Sequence, residues 1–368
     1  MNAKIGTILV GAAVVLVGLL LYAPTRTPVP SVQTAPAVTS PAGIAPSGAL
    51  HTGRSAPTVA AVPAEHPAPT NSIARLMKMQ DVPKLTLEQV AGYLAENHRS
   101  VESLLGALRA TGDKSLLEEA KEKFPNDPRV IYEAAWRSDL PEERRKWLDA
   151  LKDSAPDNAM GNLLSAAQYF KSGQSGQAVQ EVIAAGNKPI QDYSIDFLEN
   201  AEEAYRAAGY SEGEAKAIAS MSLLLPQLAQ FKQVGVGLAD TAKAYAQGGD
   251  QASAQASLEW ARDLGQRLND AGSTTLIQNL VGLAIQQIAL NGMDPNATLG
   301  DAGQTVQSQK DAVQAQRQAI KTLAQQSEAI LPTMTDQDLE IYFDRMWWFG
   351  EQGALRWAFA KYGPPPGN

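Results

Sequence analysis

The sequence predicts an all-α protein, an array of helical hairpins behind a membrane anchor and a disordered linker. Three observations predict this fold class. Residues 5–23 form an uncharged run, residues 24–70 are rich in proline, and apolar residues recur every three or four positions from Leu85 onward. Short Gly, Pro and Asn-Asp breaks interrupt the third pattern. No segment shows the alternating pattern of a strand.

The N-terminal run predicts an uncleaved signal-anchor over residues 1–23. Its 19 uncharged residues, IGTILVGAAVVLVGLLLYA, match the roughly 20 that span a bilayer as a helix. Lys4 precedes the run, which favours a cytoplasmic N-terminus. A signal peptide cleaved after Ala23 is the alternative, but Leu21 occupies a small-residue position and Pro24 follows directly. We therefore expect a single-pass protein of the inner (cytoplasmic) membrane, with its C-terminal part extracytoplasmic, in the periplasm.

Residues 24–70 predict a disordered tether. They hold ten of the 22 prolines, no aromatic residue, and only Arg26, Arg54 and Glu65 as charged residues. Such a segment cannot bury enough apolar surface to offset the entropy lost on ordering. A spacer is the simplest interpretation, and a ligand for a proline-binding module is the alternative.

The charge balance and the absence of cysteine exclude several functions. The chain has 31 basic and 39 acidic residues; the first 70 positions hold three basic and one acidic, which leaves 28 against 38 and a charge of −10 for the remainder. An acidic domain argues against nucleic acid as a partner, because phosphate binding needs a basic face. The lack of cysteine excludes disulfides, thiolate zinc sites and cysteine nucleophiles.

The remainder divides into a helical array, residues 71–272, and a C-terminal helical region, residues 273–368. The segments LTLEQVAGYLAEN, VESLLGALRATG and SLLEEAKEKFPNDP each predict one helix and its stop. Thr86 and Gln89 form the pattern of a capping box at the first start.

A six-position pattern occurs twice, 76 residues apart. The first copy is Ala166, Tyr169, Gly173, Ala178, Val182 and Ala185, and the second is Ala242, Tyr245, Gly249, Ala254, Leu258 and Ala261. The Tyr-to-Gly interval recurs between them at Tyr205 and Gly209. Small alanines permit close helix crossing, and glycine permits a turn. The pattern predicts a repeated helix-turn-helix unit.

This unit resembles the tetratricopeptide repeat family, whose unit has 34 residues. The resemblance is clearest at 156–189 and 236–265, degraded at 125–155 and 190–222, and not visible at 275–368. Irregular spacing and a missing Trp-Leu-Gly element depart from the family pattern. The resemblance implies a divergent α-solenoid, with an irregular all-α domain without repeats as the alternative.

The resemblance also implies a function, binding of a partner protein or peptide by an interaction scaffold. In that family the first helix of each hairpin lines the concave surface. The matching positions are Arg129, Tyr132, Trp136, Phe170, Lys171, Asp196, Glu199, Glu203, Arg206 and Lys243. The spacing from Asp196 to Arg206 follows one helical face. Its mostly acidic character suits a basic peptide, although these residues could equally be ordinary surface positions.

The C-terminal region has two distinct segments. Residues 301–331 are rich in glutamine and carry a thin apolar stripe that predicts one long helix against a single neighbour, or a weak coiled coil: Val306, Val313, Ile320, Leu323 and Ile330. The aromatic segment MWWFGEQGALRWAFAKYG follows. On a continuous helix its large side chains occupy more than one face. Burial of both faces by the glutamine-rich helix and the preceding hairpins is the simpler interpretation, and a docking site at Trp347, Trp348 and Trp357 is the alternative.

No motif indicates catalysis, a metal or a cofactor. His51 and His66 lie in the tether, and His98 stands alone at a predicted helix end. The Gly-x-Gly in residues 234–240 lacks the third glycine and the preceding strand of a dinucleotide site. We therefore expect no enzyme, with two alternatives: an envelope hydrolase with an acidic cleft, and a structural subunit of a membrane-associated assembly.

Overall fold

The computed structural model describes residues 83–223, 225–269, 275–299 and 303–363. This part of the chain holds fourteen α-helices and one two-stranded hairpin, which confirms the all-α class. None of its helices is both long and apolar enough to cross a bilayer. The predicted anchor, residues 1–23, and the predicted tether, residues 24–70, lie outside the described residues.

The first seven helices form the N-terminal half of the described fold. In chain order they are α1 (Leu87–Glu96), α2 (Val101–Thr111), α3 (Lys114–Lys123), α4 (Pro128–Arg137), α5 (Pro141–Ser154), α6 (Met160–Lys171) and α7 (Ser175–Ala185). The three helix-and-stop segments predicted after Leu85 correspond to α1, α2 and α3. The predicted capping box at the start of α1 is confirmed, with Thr86 and Gln89 each bonding the backbone N–H of the other at 2.9 and 3.3 Å.

The remaining elements are longer on average. They are α8 (Tyr193–Ala207), α9 (Glu212–Met221), α10 (Pro226–Gln247), α11 (Gln251–Arg267), α12 (Leu276–Asn291), β1 (Thr298–Leu299), β2 (Gln304–Thr305), α13 (Val306–Ile330), a short 3-10 turn (Leu331–Thr333) and α14 (Asp336–Tyr362). The two strands pair antiparallel before α13. The predicted glutamine-rich helix is α13. Four residues of the predicted stripe, Val306, Val313, Ile320 and Ile330, are buried, and the fifth, Leu323, is half-buried.

The repeated Tyr-to-Gly interval marks the same turn three times. It joins α6 to α7, α8 to α9 and α10 to α11, and the turn glycines have φ angles of 73°, 93° and 85°. In each turn the residue after the glycine donates its N–H to the tyrosine carbonyl, at 2.9, 3.2 and 2.9 Å. This is the hydrogen bond that closes a helix at a left-handed glycine. The repeated Tyr-to-Gly interval is therefore the signature of a helix C-cap.

The alanines of the repeated pattern lie where the paired helices cross. Ala166 and Ala178 are fully buried between α6 and α7, and Ala242 and Ala254 are buried between α10 and α11. The tyrosines differ from one another, because Tyr205 is buried while Tyr245 is 36% exposed. The close approach of each helix pair therefore depends on the small residues more than on the aromatic ones.

Helix α8 packs against α9, its neighbour in sequence, and also against α2 and α1, which are distant in sequence. In a solenoid each unit contacts only the adjacent units, so this packing adds a long-range contact to the hairpin order. Likewise α10 packs on α6 and α12, and α9 packs on α14. The core consequently runs continuously from Leu85 to Ala358 through the described helices.

Helix α14 is two helical segments that fold back on one another at Gly350. Gly350 has φ 70° and ψ 166°, which interrupts the helix. Asp338 in the first segment bonds Lys361 and the Tyr362 hydroxyl in the second. A continuous helix would separate Asp338 from Lys361 by about 35 Å. The sequence-based assignment of the tryptophans to faces of one continuous helix was wrong, because the helical period is lost at Gly350.

Candidate binding cleft

A cleft of about 400 Å³ lies between α8, α9 and α14. Helix α8 supplies four charged side chains to it, α9 supplies Lys216, and α14 supplies Asp344 and three aromatic side chains. The charged and aromatic residues predicted for partner binding that meet here are Glu199, Glu203, Arg206, Trp347 and Trp348. The cleft thus joins two groups that are about 140 positions apart in the sequence.

The amphipathic character of α8 produces the acidic wall. Phe197, Ala204 and Tyr205 are buried and fix one side of the helix to the core. Asp196, Glu199, Glu203 and Arg206 are exposed on the other side. Residues three, four and seven apart share a helical face, so their predicted alignment on one face is confirmed by the helix bounds and by their exposure.

Lys216 links α9, at the base of the cleft, to α14 on the side opposite α8. Its Nζ lies 2.6 Å from Glu212 Oε1 in the same helix and 2.6 Å from Asp344 Oδ1 in α14. The Gly213 N–H also donates to Glu340 Oε1 at 3.2 Å. Because the Lys216 side chain is only 10% exposed, its charge is engaged within the protein. It therefore holds α14 in place. Among the residues that the structure describes, no cation pairs with Glu199, which is in this sense uncompensated.

The aromatic wall projects into solvent at the end of the first α14 segment. Trp348 is 76% exposed and Phe349 is 66% exposed, whereas Trp347 and Trp357 are half-buried. The Arg345 guanidinium lies over the rings of Phe349 and Trp357, at 5.2 and 5.8 Å from their centroids. Exposed aromatic surface of this kind makes the end of this segment a candidate contact surface.

Burial and like charges destabilise the ionised acids of α8. Glu199 is exposed, but the neighbouring helices partly desolvate its carboxylate, and this desolvation, together with the charges of Asp196 and Glu203, raises its pKa above the ordinary value of 4.5. Burial also raises the pKa of Glu202, against the opposing effect of Lys216 and Arg206. A cation delivered by a partner would relieve this repulsion. The electrostatics therefore favour a positively charged ligand group.

Two of the other predicted binding residues are engaged inside the protein. Arg129 is half-buried, with its guanidinium 2.8 Å from Asp127 and 2.7 Å from Glu102. Tyr132 has no exposed surface, and it packs edge-on against Tyr193 at 5.5 Å. In this structure Tyr132 is part of the core between α4 and α8.

The remaining predicted residues lie around α6 and α10. Trp136 and Lys171 line a small pocket of about 50 Å³ between α4, α5, α6 and α10. The Phe170 ring lies against Gly237 of α10, where an added Cβ would be only 2.4 Å from a ring carbon. Lys243 is exposed further along α10. The structure therefore separates these residues from the cleft.

The close contact of Gly237 also explains the Gly-x-Gly motif of residues 234–240. Both glycines lie in the middle of α10, and an added Cβ on Gly235 would be 2.7 Å from Ile285 Cγ2. These glycines permit close helix packing. Within the residues that the structure describes, no group of three or more His, Asp or Glu side chains could hold a metal ion.

Sequence reasoning missed Glu202, Lys216 and Asp344 as cleft residues. Glu202 and Lys216 lie among ordinary charged helix positions, and Asp344 precedes the tryptophans by only a few residues. No spacing rule links them, because the contact of Lys216 with Asp344 spans 128 positions. Only the proximity of Asp344 to the aromatic segment offered a signal.

Comparison with known proteins provides no assignment for this site. No family model matches the chain, and neither a characterised protein nor a solved structure is significantly similar to it.

Proposed function

We propose that this chain is a membrane-tethered, extracytoplasmic interaction scaffold that binds a partner protein or peptide in the cleft between α8 and α14. The bound segment carries Lys or Arg next to a large apolar side chain. The observation that carries this proposal is the meeting of uncompensated Glu199 with the exposed ring of Trp348 around one cleft.

Charge complementarity supports a basic segment. The cleft is lined by Glu199, Glu202, Glu203 and Asp344 against Arg206 and Lys216, so acids outnumber bases by four to two. Lys216 is already paired with Asp344. Opposite charges across an interface steer association and fix register. A bound Lys or Arg would lie between Glu199 and Glu203.

The exposed aromatic side chains support an apolar residue beside that cation. Tryptophan is enriched among the residues that dominate binding energy, since its large ring excludes water from neighbouring polar contacts. Trp348 lines the cleft beside the acidic wall and is mostly exposed, and its neighbour in the chain, Phe349, is exposed as well. A partner side chain packed on them would shield the ion pairs from solvent.

The membrane part of the proposal rests on the sequence of residues 1–70. The uncharged run would anchor the chain in the membrane, and the 47 proline-rich residues after it would set how far the helical array can move from the membrane surface. As a flexible coil they would span roughly 40 Å, and in extended polyproline form about 145 Å. The helical array would then search for its partner near the membrane.

Recovery of the full-length chain in the soluble fraction after cell disruption would contradict the anchor.

Photo-crosslinking in native membranes tests the binding surface. A photoreactive phenylalanine analogue at Trp348 should capture a partner, and the same analogue at Ile183, an exposed apolar side chain in α7, should not. The double substitution Glu199→Gln and Glu203→Gln should abolish capture. Its matched control, Glu142→Gln with Glu143→Gln, removes the same charge from exposed positions of α5 and should leave capture unchanged. Equal capture in both double variants would refute the cleft as the binding site.

A further inference from the structure

We infer that the small pocket between α4, α5, α6 and α10 binds the acetamido group of a small N-acetylated acid. The pocket has a volume of about 50 Å³, and Trp136, Gln168 and Lys171 contribute to its lining. It shares no lining residue with the cleft between α8 and α14. The inference therefore goes beyond the proposed function and does not depend on it.

The pocket lining contains a buried hydrogen-bond donor and a buried acceptor that both lack a partner. The Trp136 indole Nε1 and the Gln168 side-chain oxygen Oε1 have almost no exposure to solvent, and within the described part of the chain neither atom makes a hydrogen bond. Gln168 Nε2 is already engaged, because it donates to the Pro141 carbonyl oxygen at 2.8 Å. Buried polar atoms are rarely left unpaired, since their desolvation is costly. A ligand that accepts one hydrogen bond and donates another would satisfy both atoms.

A terminal acetamido group has this combination of properties. Its carbonyl oxygen accepts a hydrogen bond, its N–H donates one, and its methyl group is apolar. Ala135, Leu148 and Leu164 contribute buried apolar side chains to the same pocket, and the methyl group would pack against them. The pocket holds about four water-sized groups, which is also about the size of an acetamido group. A peptide bond inside a chain continues on both sides, so a terminal acetyl group suits this small volume better.

Two cations at the pocket favour a ligand that also carries a carboxylate. Arg144 is half-buried, and its guanidinium donates to the carbonyl oxygens of Ala135 and Ser138 at 3.1 and 2.7 Å. These neutral carbonyls fix the guanidinium in place without cancelling its charge. Lys171 is exposed, and among the described residues no carboxylate forms an ion pair with either cation. A carboxylate beside the acetamido group would therefore be attracted to the pocket.

Nuclear magnetic resonance of the tryptophan indoles tests the site directly. The full-length chain is labelled with nitrogen-15 at its six tryptophans, and Trp136→Phe identifies the Trp136 signal. N-acetylglycine is the smallest probe with both groups. It should shift the Trp136 Nε1–H signal downfield and saturably, with a Kd of roughly millimolar order, and the other tryptophan signals should move little. Absence of a saturable shift would overturn the inference and assign the two buried atoms to bridging water.

A change in the probe tests the hydrogen bond to Gln168 without altering the protein. N-acetylsarcosine carries a methyl group in place of the amide hydrogen, so it cannot donate to Gln168 Oε1. It should bind at least several-fold more weakly than N-acetylglycine. Equal affinity for the two probes would contradict the inference, because the pocket would then not recognise the amide N–H.

Lys171→Gln tests the attraction for the carboxylate. This variant should weaken N-acetylglycine binding at least several-fold and leave the weaker binding of neutral N-acetylglycinamide unchanged. Lys243→Gln is the matched control, because Lys243 is also exposed but lies further along α10, and it should change neither affinity. Equal effects of the two substitutions on N-acetylglycine would refute the acidic part of the ligand.

N-acetylmuramic acid distinguishes the two sources of this chemistry, N-acetylamino acids and N-acetylated acidic sugars. Binding at least several-fold tighter than that of N-acetylglycine, with the same shift of the Trp136 signal, would assign the pocket to an acidic sugar. Weaker binding would assign it to an N-acetylamino acid. A shift that instead appears at Trp347 or Trp348, which line the cleft, would overturn the assignment to this pocket.

Discussion

The main-chain carbonyl oxygen of Asn200 in α8 lies against Gly106 in α2, so closely that a Cβ on residue 106 would be 2.5 Å from it. This contact lets α8 settle between the N-terminal helices. It therefore fixes the acidic wall of the cleft relative to the rest of the array. No side chain larger than hydrogen fits at this crossing without movement of one helix.

Gly106→Ala should lower the free energy of unfolding by about 1–3 kcal/mol, since overpacking forces backbone shifts. Gly176→Ala is the matched control, because Gly176 lies in α7 and an added Cβ would meet nothing within 4 Å. The control should be neutral or gain up to about 1 kcal/mol from helix propensity. Urea denaturation measures both, and equal effects would contradict the close crossing of α2 and α8.

Gly350→Asn should open the folded-back helix α14. The φ of 70° and ψ of 166° at Gly350 belong to a region essentially reserved for glycine, at a cost of about 1–3 kcal/mol for other residues. Gly112→Asn provides the control, since its φ of 74° and ψ of 11° are left-handed helical values that Asn tolerates. Thermal unfolding should separate the two variants. An unchanged melting temperature for Gly350→Asn would show that the fold-back does not need this conformation.

The double substitution Trp348→Ser and Phe349→Ser should abolish partner capture and leave stability within about 0.5 kcal/mol, because exposed positions contribute little to folding. Leu339→Ala in the same helix should lower stability by about 2–5 kcal/mol, because Leu339 is fully buried. Chemical denaturation measures stability, and capture is measured in parallel with the photoreactive analogue at Trp347, which also lines the cleft. A large loss of stability in the first variant would assign the two aromatic side chains to the core.

The pH dependence of stability should change in Glu199→Gln. The pKa of Glu199 is raised in the folded protein, so the folded state binds its proton more tightly than the unfolded chain does. Its contribution is therefore fully present below the ordinary value of 4.5 and is lost as pH rises through the raised pKa. Above that pH the variant should be slightly more stable than the unaltered protein.

Urea midpoints recorded between about pH 4 and pH 7 check this expectation. The unaltered chain should lose stability relative to Glu199→Gln as pH increases, and the difference should shrink in high salt, which screens the repulsion from Asp196 and Glu203. A variant whose stability falls below that of the unaltered chain at neutral pH would mean that Glu199 has a compensating cation.

The sequence by itself determined the local structure of the described helices. Local patterns were enough to predict three features: the Thr86 capping box, the glycine turns after Tyr169 and Tyr245, and the apolar stripe of α13. Each depends on residues within a few positions of one another, so helical period and cap chemistry suffice to predict it. The exposed acidic face of α8 was predicted for the same reason.

The tertiary structure alone decided where those helices meet. The crossing of Gly106 with Asn200, the contact of Lys216 with Asp344 and the fold-back at Gly350 join residues that no short period relates. Their partners are chosen by packing of whole helix faces, where shape and volume must match over many residues at once. For this reason the sequence predicted an acidic face and an aromatic segment separately, and only the packing of α9 between α8 and α14 placed them around one cleft.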